Sequence, residues 1–233
     1  TTGGTVTAGK WNSTNTDIAV TVPLPADATL IDGTLQIQAS VASGLYENLG
    51  SAHTIGGSEP STNVTSRFSA ATFEALSGGI SDGESILFKA ILTDKAGNAT
   101  TGTQSVTSIA FDQSVPAFSS VTPSTGSSVK VADVGYTLSE AIASGTVKYT
   151  RTGGSSDGAH TQNLSGTEHN TGVRSLATLS RAPTLIDDEI NTIDFYGVYA
   201  TGNASTHISG TSITINTTVH TDFTSRTVST TRS

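Results

Sequence analysis

The sequence predicts an all-β chain: two small β-sandwiches in tandem, followed by an extended tail. Two observations carry this. Apolar and small polar residues alternate in short runs broken by Gly, Asn, Asp and Pro, the pattern of half-buried antiparallel strands. Two stretches also repeat, residues 91–100 returning as 197–205 and residues 109–115 as 213–219. Gly97 and Gly202 stand 105 residues apart, and Asp112 and Asn216 stand 104 apart. That period is too long for a solenoid unit and suits one sandwich. The boundaries that follow are 1–112 for the first module, 113–217 for the second and 218–233 for the tail.

In the first module Ile18, Val20 and Val22 alternate and stop at Pro23-Leu24-Pro25. Leu35, Ile37, Ala39 and Val41 alternate after the turn at Asp32-Gly33. Val64, Ser66 and Phe68 make a weaker run, and residues 70–76 read as a single helical turn crossing between sheets. Ile86, Phe88, Ala90 and Leu92 lead into the turn at residues 94–98, and Thr107, Ile109 and Phe111 complete the module. Gly97 and Asn98 supply the positive φ values a tight hairpin needs, and Asp94 can accept backbone N–H groups across it.

The second module keeps the order. Val134, Tyr136 and Leu138 come first, then Val147 and Tyr149, then Val173, Ser175, Ala177 and Leu179. The counterpart of the helical turn, residues 182–186, holds Pro183 and should not be helical. Ile193, Phe195, Gly197 and Tyr199 run into the Gly202-Asn203 turn, and Thr211, Ile213 and Ile215 close the module. About seven short strands per hundred residues is the pattern of an immunoglobulin-like sandwich. The chain has no Cys and a single Trp, Trp11, near the first strand. Packing of Val, Ile, Leu and Phe must therefore hold the sheets together without a disulfide.

Composition narrows the function. Nearly a third of the 233 residues are Ser or Thr, which suits strands and turns better than helices. Lys+Arg 11 against Asp+Glu 19 gives a net charge of −8. An acidic chain with scattered basic residues offers no footprint for nucleic acid. No apolar run is long enough to span a membrane. A start at Thr1 without Met reads as a mature product or a cut from something longer. Asn-x-Ser/Thr triplets at Asn12, Asn63, Asn98, Asn163, Asn203 and Asn216 would be acceptors only where glycosylation machinery exists. The balance points to an extracellular bacterial or archaeal protein.

The Asp94-to-Asn98 turn before the last strand, then Phe111-Asp112 and Pro116 at the junction, resemble the tandem bacterial Ig-like repeats of very large surface adhesins. Residues 134–141 and 145–154 look like such repeats too, and the resemblance runs to about Thr217. Module two departs from the pattern, with Tyr199 in place of Asp94, Asn216 in place of Asp112 and His220 in place of Pro116.

The sandwich topology brings Asp112 toward Asp82 and Glu84, and toward Glu140 and the Gly202-Asn203 turn of module two. Oxygen ligands so gathered could hold Ca²⁺, and the resemblance implies the same, since such arrays are stiffened by Ca²⁺ at their linkers. The run Asp187-Asp188-Glu189 is a second candidate. For catalysis the sequence offers little. His53, His160, His169, His207 and His220 are isolated, with no zinc-type spacing. There is no Gly-x-Ser-x-Gly elbow and no phosphate loop, although a Ser/His/Asp triad assembled from distant positions stays open. Tyr46, Tyr149 and Tyr196 are candidates either for sugar stacking or for packing.

The tail alternates weakly through Val219, Phe223 and Val228. It reads as the first strand of a next module, as a disordered end, or as a strand donated to the edge of a neighbouring subunit. The expected function is non-catalytic: a spacer or adhesive stalk of an extracellular, cell-surface protein. Its partners are neighbouring modules or subunits of the same protein, and a surface glycan or protein ligand. The alternatives are a self-assembling subunit of a filament, sheath or surface layer, and an accessory module of a secreted carbohydrate-active enzyme or phage particle.

Overall fold

The computed structural model describes residues 1–131, 133–174 and 184–218. The chain divides into two compact units. The first is Thr1–Val115 together with the short turn Ala200–Asn203; the second, among the described residues, lies within Pro116–Tyr199 and resumes from Ala204 to Thr218. Both are β-sandwiches of the immunoglobulin-like kind.

The first unit runs β1 (Lys10–Trp11), β2 (Asp17–Pro23), β3 (Thr34–Val41), β4 (Glu47–Asn48), β5 (His53–Thr54), β6 (Asn63–Ser69), α1 (Ala70–Glu74), β7 (Ser85–Thr93), β8 (Ala99–Thr101) and β9 (Ile109–Phe111). One sheet has the order β1-β9-β7-β3-β4, with β5 beside β3 and β8 beside β7; the other is the pair β2-β6. The alternation read from the sequence puts Ile18, Leu35, Ile37 and Ile86 inside, each about 2 % exposed or less. Burying each such side chain stabilises the fold by roughly 1.5–3 kcal/mol. The one-turn helix forms where residues 70–76 suggested it, capped by the Ser69 hydroxyl, which accepts from the Thr72 N–H. That helix delivers Phe73 to the core, its ring centroid 4.7 Å from Trp11.

Trp11 is fully buried and anchors β1, which pairs in parallel with β9. Among the described residues the outer edge of β2 carries only the bridge between Thr2 and Asp17. The hairpin turn after β7 behaves as its residues dictate in one respect and not in another. Gly97 has φ 94°, but Asn98 does not take a positive φ. Asn98 instead donates its N–H to Asp94 Oδ1 (2.8 Å) and its amide to Oδ2 (2.9 Å). Those bonds hold the Asp94 carboxyl below its ordinary value.

The second unit runs β10 (Phe118–Thr122), β11 (Ser128–Val129), β12 (Gly135–Leu138), β13 (Ser144–Gly154), β14 (His160–Asn163), β15 (Gly172–Arg174), β16 (Glu189–Val198) and β17 (Ile208–Ile215). Its sheets are β10-β12-β15 and β11-β17-β16-β13-β14. Phe118, Tyr136 and Phe195 form an aromatic cluster in the core, and Tyr136 donates its hydroxyl to the Glu168 carbonyl at 2.8 Å. Of the strand read through Val173 and Ser175 to Leu179, β15 supplies the start; Ser175, Ala177, Leu179 and Pro183 lie outside the described residues. So do Val219, Phe223 and Val228 of the tail.

Candidate functional site

The acids at the end of the first unit are bound by its own chain. Asp82, in the loop entering β7, accepts the Gln113 N–H at 2.6 Å and the Ser114 hydroxyl at 2.5 Å. Asp112, just past β9, accepts the Ser114 N–H at 3.1 Å and the Thr201 hydroxyl at 3.2 Å. Glu84 accepts the Ser81 N–H at 2.7 Å. Burial pushes the Asp112 carboxyl above its ordinary value against these bonds, and the neighbouring Asp82 charge adds to that push.

Asn203, fully buried in the same unit, donates to the Asp112 carbonyl (2.9 Å) and accepts from the Ser13 N–H and hydroxyl (3.0 and 2.7 Å). Asn12, also fully buried, donates to the carbonyls of Thr5 and Thr201 at 2.7 Å each. Two of the six glycosylation triplets are thereby closed to a glycan in the folded chain. Asn63, Asn98, Asn163 and Asn216 are exposed.

Ca²⁺ would have to displace hydrogen-bond donors from this set. Both oxygens of Asp82 and of Asp112, and Oε2 of Glu84, already accept from N–H and O–H donors, whereas Ca²⁺ takes six to eight oxygen ligands. Glu140 follows β12 in the second unit. Among the described residues no three His, Cys, Asp or Glu side chains gather closely enough to hold a metal ion.

The second acidic run is likewise divided among separate tasks. Asp187 accepts the Thr217 N–H (2.5 Å) and hydroxyl (2.8 Å), the Thr218 N–H (3.2 Å) and the Thr218 hydroxyl. These bonds, led by that of the Thr218 hydroxyl, pull its carboxyl down to about 2. Asp188 turns the chain at φ 60°, its carbonyl against Gly154. Glu189 is fully buried; its Oε2 accepts the Ile186 N–H at 3.3 Å and its Oε1 has no hydrogen-bond partner. Asn191, two positions on along the same face of β16, is also fully buried, with both amide atoms unpaired.

Three of the histidines that look isolated in sequence have acidic partners in space, whereas His169 Nε2 is buried without a hydrogen-bond partner and His220 lies outside the described residues. His53 meets Glu59 at 2.9 Å, His160 meets Asp157 at 2.8 Å and His207 meets Asp194 at 2.8 Å. At the last of these Ser209 completes a serine–histidine–aspartate contact, and its wiring decides against a triad. Both Ser209 (3.0 Å) and Asp194 bond the same nitrogen, His207 Nε2, and the Ser209 hydroxyl donates to Asp194 at 2.7 Å. A general base needs its acid on the other nitrogen, leaving Nε2 to take the serine proton. Of the three tyrosines, Tyr149 is fully buried and is core. Tyr46 donates to Gln104 at 2.6 Å under the Lys89 ammonium, 4.0 Å from its ring centroid. Tyr196 is 41 % exposed and stacks on His207 at 4.7 Å.

An apolar opening of the first unit lies between β2 and the β7–β8 hairpin. Val20, Val22, Ala90, Leu92 and Thr101 line it, and its volume is about 350 Å³. No sequence signal singled it out.

No protein-family model matches the chain, and no curated protein does. Solved structures to which the chain shows similarity include a two-domain fibronectin type-III segment of chicken tenascin, 13% identical with a TM-score of 0.31, covering 84% of this chain and 91% of that one. The FN1–FN3 domains of chicken CNTN1 are 13% identical with a TM-score of 0.36 over 86% of this chain. A structure of a 1.5-MDa bacterial ice-binding adhesin is 16% identical with a TM-score of 0.39 over 89% of it. The chain spans 63% and 61% of the length of the last two.

Proposed function

We propose that the chain is a non-catalytic structural segment of an extracellular, cell-surface protein, a spacer or stalk assembled from sandwich units. One observation carries this reading. The polar side chains that could have done chemistry, Asp82, Asp112, Asp187 and the His207–Asp194–Ser209 group, are spent on tying loops and strand ends of their own unit together. Such cross-bonded loops resist unravelling from the ends, as a spacer requires. Pulling single molecules from their termini tests it. The reading expects two discrete unfolding events, each releasing roughly 100 residues, or about 340 Å of chain. A chain that extends without discrete events contradicts it.

A calcium-bound form is a second reading, favoured by one observation: the Asp82 charge bears on a half-buried Asp112, and a cation would relieve both. It requires the Gln113, Ser114 and Thr201 donors to give way to metal. Thermal unfolding in Ca²⁺ against chelator decides it. A higher midpoint in Ca²⁺, lost in Asp112→Asn, supports the site, and an unchanged midpoint removes it.

A further inference from the structure

The two units differ at one seat. In the second, β10 lies along β12, with Phe118 opposite Leu138 and Ser119 opposite Thr137. The buried Phe118 ring sits 5.2 Å from Tyr136 and 5.8 Å from Phe195. It packs so closely on Gly197 that a Cβ there would lie 3.2 Å from it, and the adjacent Ala117 bridges Thr206. The strand so covered, Asp133-Val134-Gly135-Tyr136-Thr137-Leu138, repeats Asp17-Ile18-Ala19-Val20-Thr21-Val22 of β2. The hairpin repeat of 105 residues likewise places Ala90, Leu92 and Thr101 where the second unit has Phe195, Gly197 and Thr206.

The counterparts of the residues around Phe118 are thus Val20, Val22, Ala90, Leu92 and Thr101, and all five line the open groove of the first unit. Tyr136 and Leu138 are each 1% exposed, whereas Val20 and Val22 are only half-buried. Apart from the Thr2–Asp17 bridge, the edge of β2 has no strand beside it among the described residues. Among the described residues the groove is a Phe118-type seat without its strand.

The sequence holds a second segment of that type. Thr217-Thr218-Val219-His220-Thr221-Asp222-Phe223-Thr224-Ser225 follows Asn216 as Gln113-Ser114-Val115-Pro116-Ala117-Phe118-Ser119-Ser120 follows Asp112, with one more residue between Val and Phe. His220 in place of Pro116 keeps an N–H that a strand ladder can use. We propose that residues 219–228 of one copy of the chain, leaving Thr217 and Thr218 tied to Asp187 of their own unit, add to the edge of β2 in a second copy, antiparallel, with Phe223 entering the groove between Val20, Ala90 and Leu92. Main-chain hydrogen bonds to the open edge supply affinity, and the pocket for one aromatic ring supplies specificity. The contact is heterologous, tail to groove, so it propagates from copy to copy and lengthens the stalk.

Sedimentation velocity of the full chain over a concentration series tests this. The expected result is a sedimentation coefficient that rises with concentration. Phe223→Ser on the donor side and Ala90→Phe, which fills the groove, should each abolish the rise while leaving Trp11 fluorescence unchanged. A synthetic peptide of residues 219–228 should raise the melting midpoint of the Phe223→Ser protein, and the same peptide with Phe223→Ser should not. A coefficient that stays flat with concentration, or a rise that both substitutions leave intact, overturns the proposal. Peptide binding by a chain that stays monomeric also overturns it, because the seat then takes its strand from its own copy or from another protein.

Discussion

Trp11 Nε1 donates to Glu74 Oε1 at 2.9 Å, and the same carboxylate oxygen accepts the Gln113 side-chain amide at 2.5 Å. One acid at the end of a five-residue helix thus holds the first strand of the unit and the segment leaving its last. Glu74→Ala removes both bonds and leaves the buried indole N–H without an acceptor. A hydrogen bond to a charged group contributes about 1.5–3 kcal/mol, so the first unit should lose about 2 kcal/mol. The only Trp of the chain lies in this unit, so its fluorescence during urea unfolding reports that loss directly.

The carboxyls of Asp187 and Asp112 should titrate on opposite sides of the ordinary aspartate value. For Asp187 the folded value, about 2, lies below the unfolded one. Its contribution is present above pH 3.8 and is lost as pH falls toward 2. For Asp112 the folded value is raised, so the sign reverses: protonation favours the fold, and stability falls as pH rises through the raised value. NMR titration of the two side-chain carboxyl carbons checks both, and two midpoints near 3.8 would contradict the geometry.

Asn191→Ile should stabilise the second unit. Asn191 pairs in register with Ile213 on β17 as Ile86 pairs with Ile109 on β9, so the first unit already carries isoleucine at this place. A buried amide with no partner costs about 1–3 kcal/mol, and the substitution should recover about 1–2 kcal/mol of that. Far-UV circular dichroism during denaturation measures it; a loss of stability would mean that the amide has a partner after all.

Gly154→Ala should destabilise the same unit. Gly154 has φ 66°, and a Cβ there would fall 1.8 Å from the Asp188 carbonyl oxygen. Strained backbone of this kind costs about 1–3 kcal/mol per residue, and the clash adds to it. A variant as stable as the parent chain would show that this turn rearranges freely.

What could be read from the sequence was whatever depended on period. The alternations through Ile18, Leu35, Ile86, Val134 and Ile193 became β2, β3, β7, β12 and β16 because a two-residue period fixes which face is buried. The two-residue strands β1, β4, β5 and β11 are too short to show a period, and they form because longer neighbours present edges to them. Asn12 and Asn203 carried a sequon signal that concealed their role, since only the folded chain shows that both are buried hydrogen-bonding hubs. The groove beside β2 was hidden for a different reason. It is a missing partner, and the available clue was that Asp17-Ile18-Ala19-Val20-Thr21-Val22 and its repeat at Asp133 differ in having Phe118 beside only the second. The groups around His207 were invisible because Asp194, His207 and Ser209 meet across β16 and β17.

The chain has two separately cored sandwiches, and its polar residues tie loops and strand ends of their own unit. Hydrogen exchange followed by mass spectrometry on the intact chain tests this most directly, at the central strands β7 and β16. Both strands should retain slowly exchanging amides under the same native conditions, each protected by its own core. Exchange at the unfolded rate throughout either strand would contradict it.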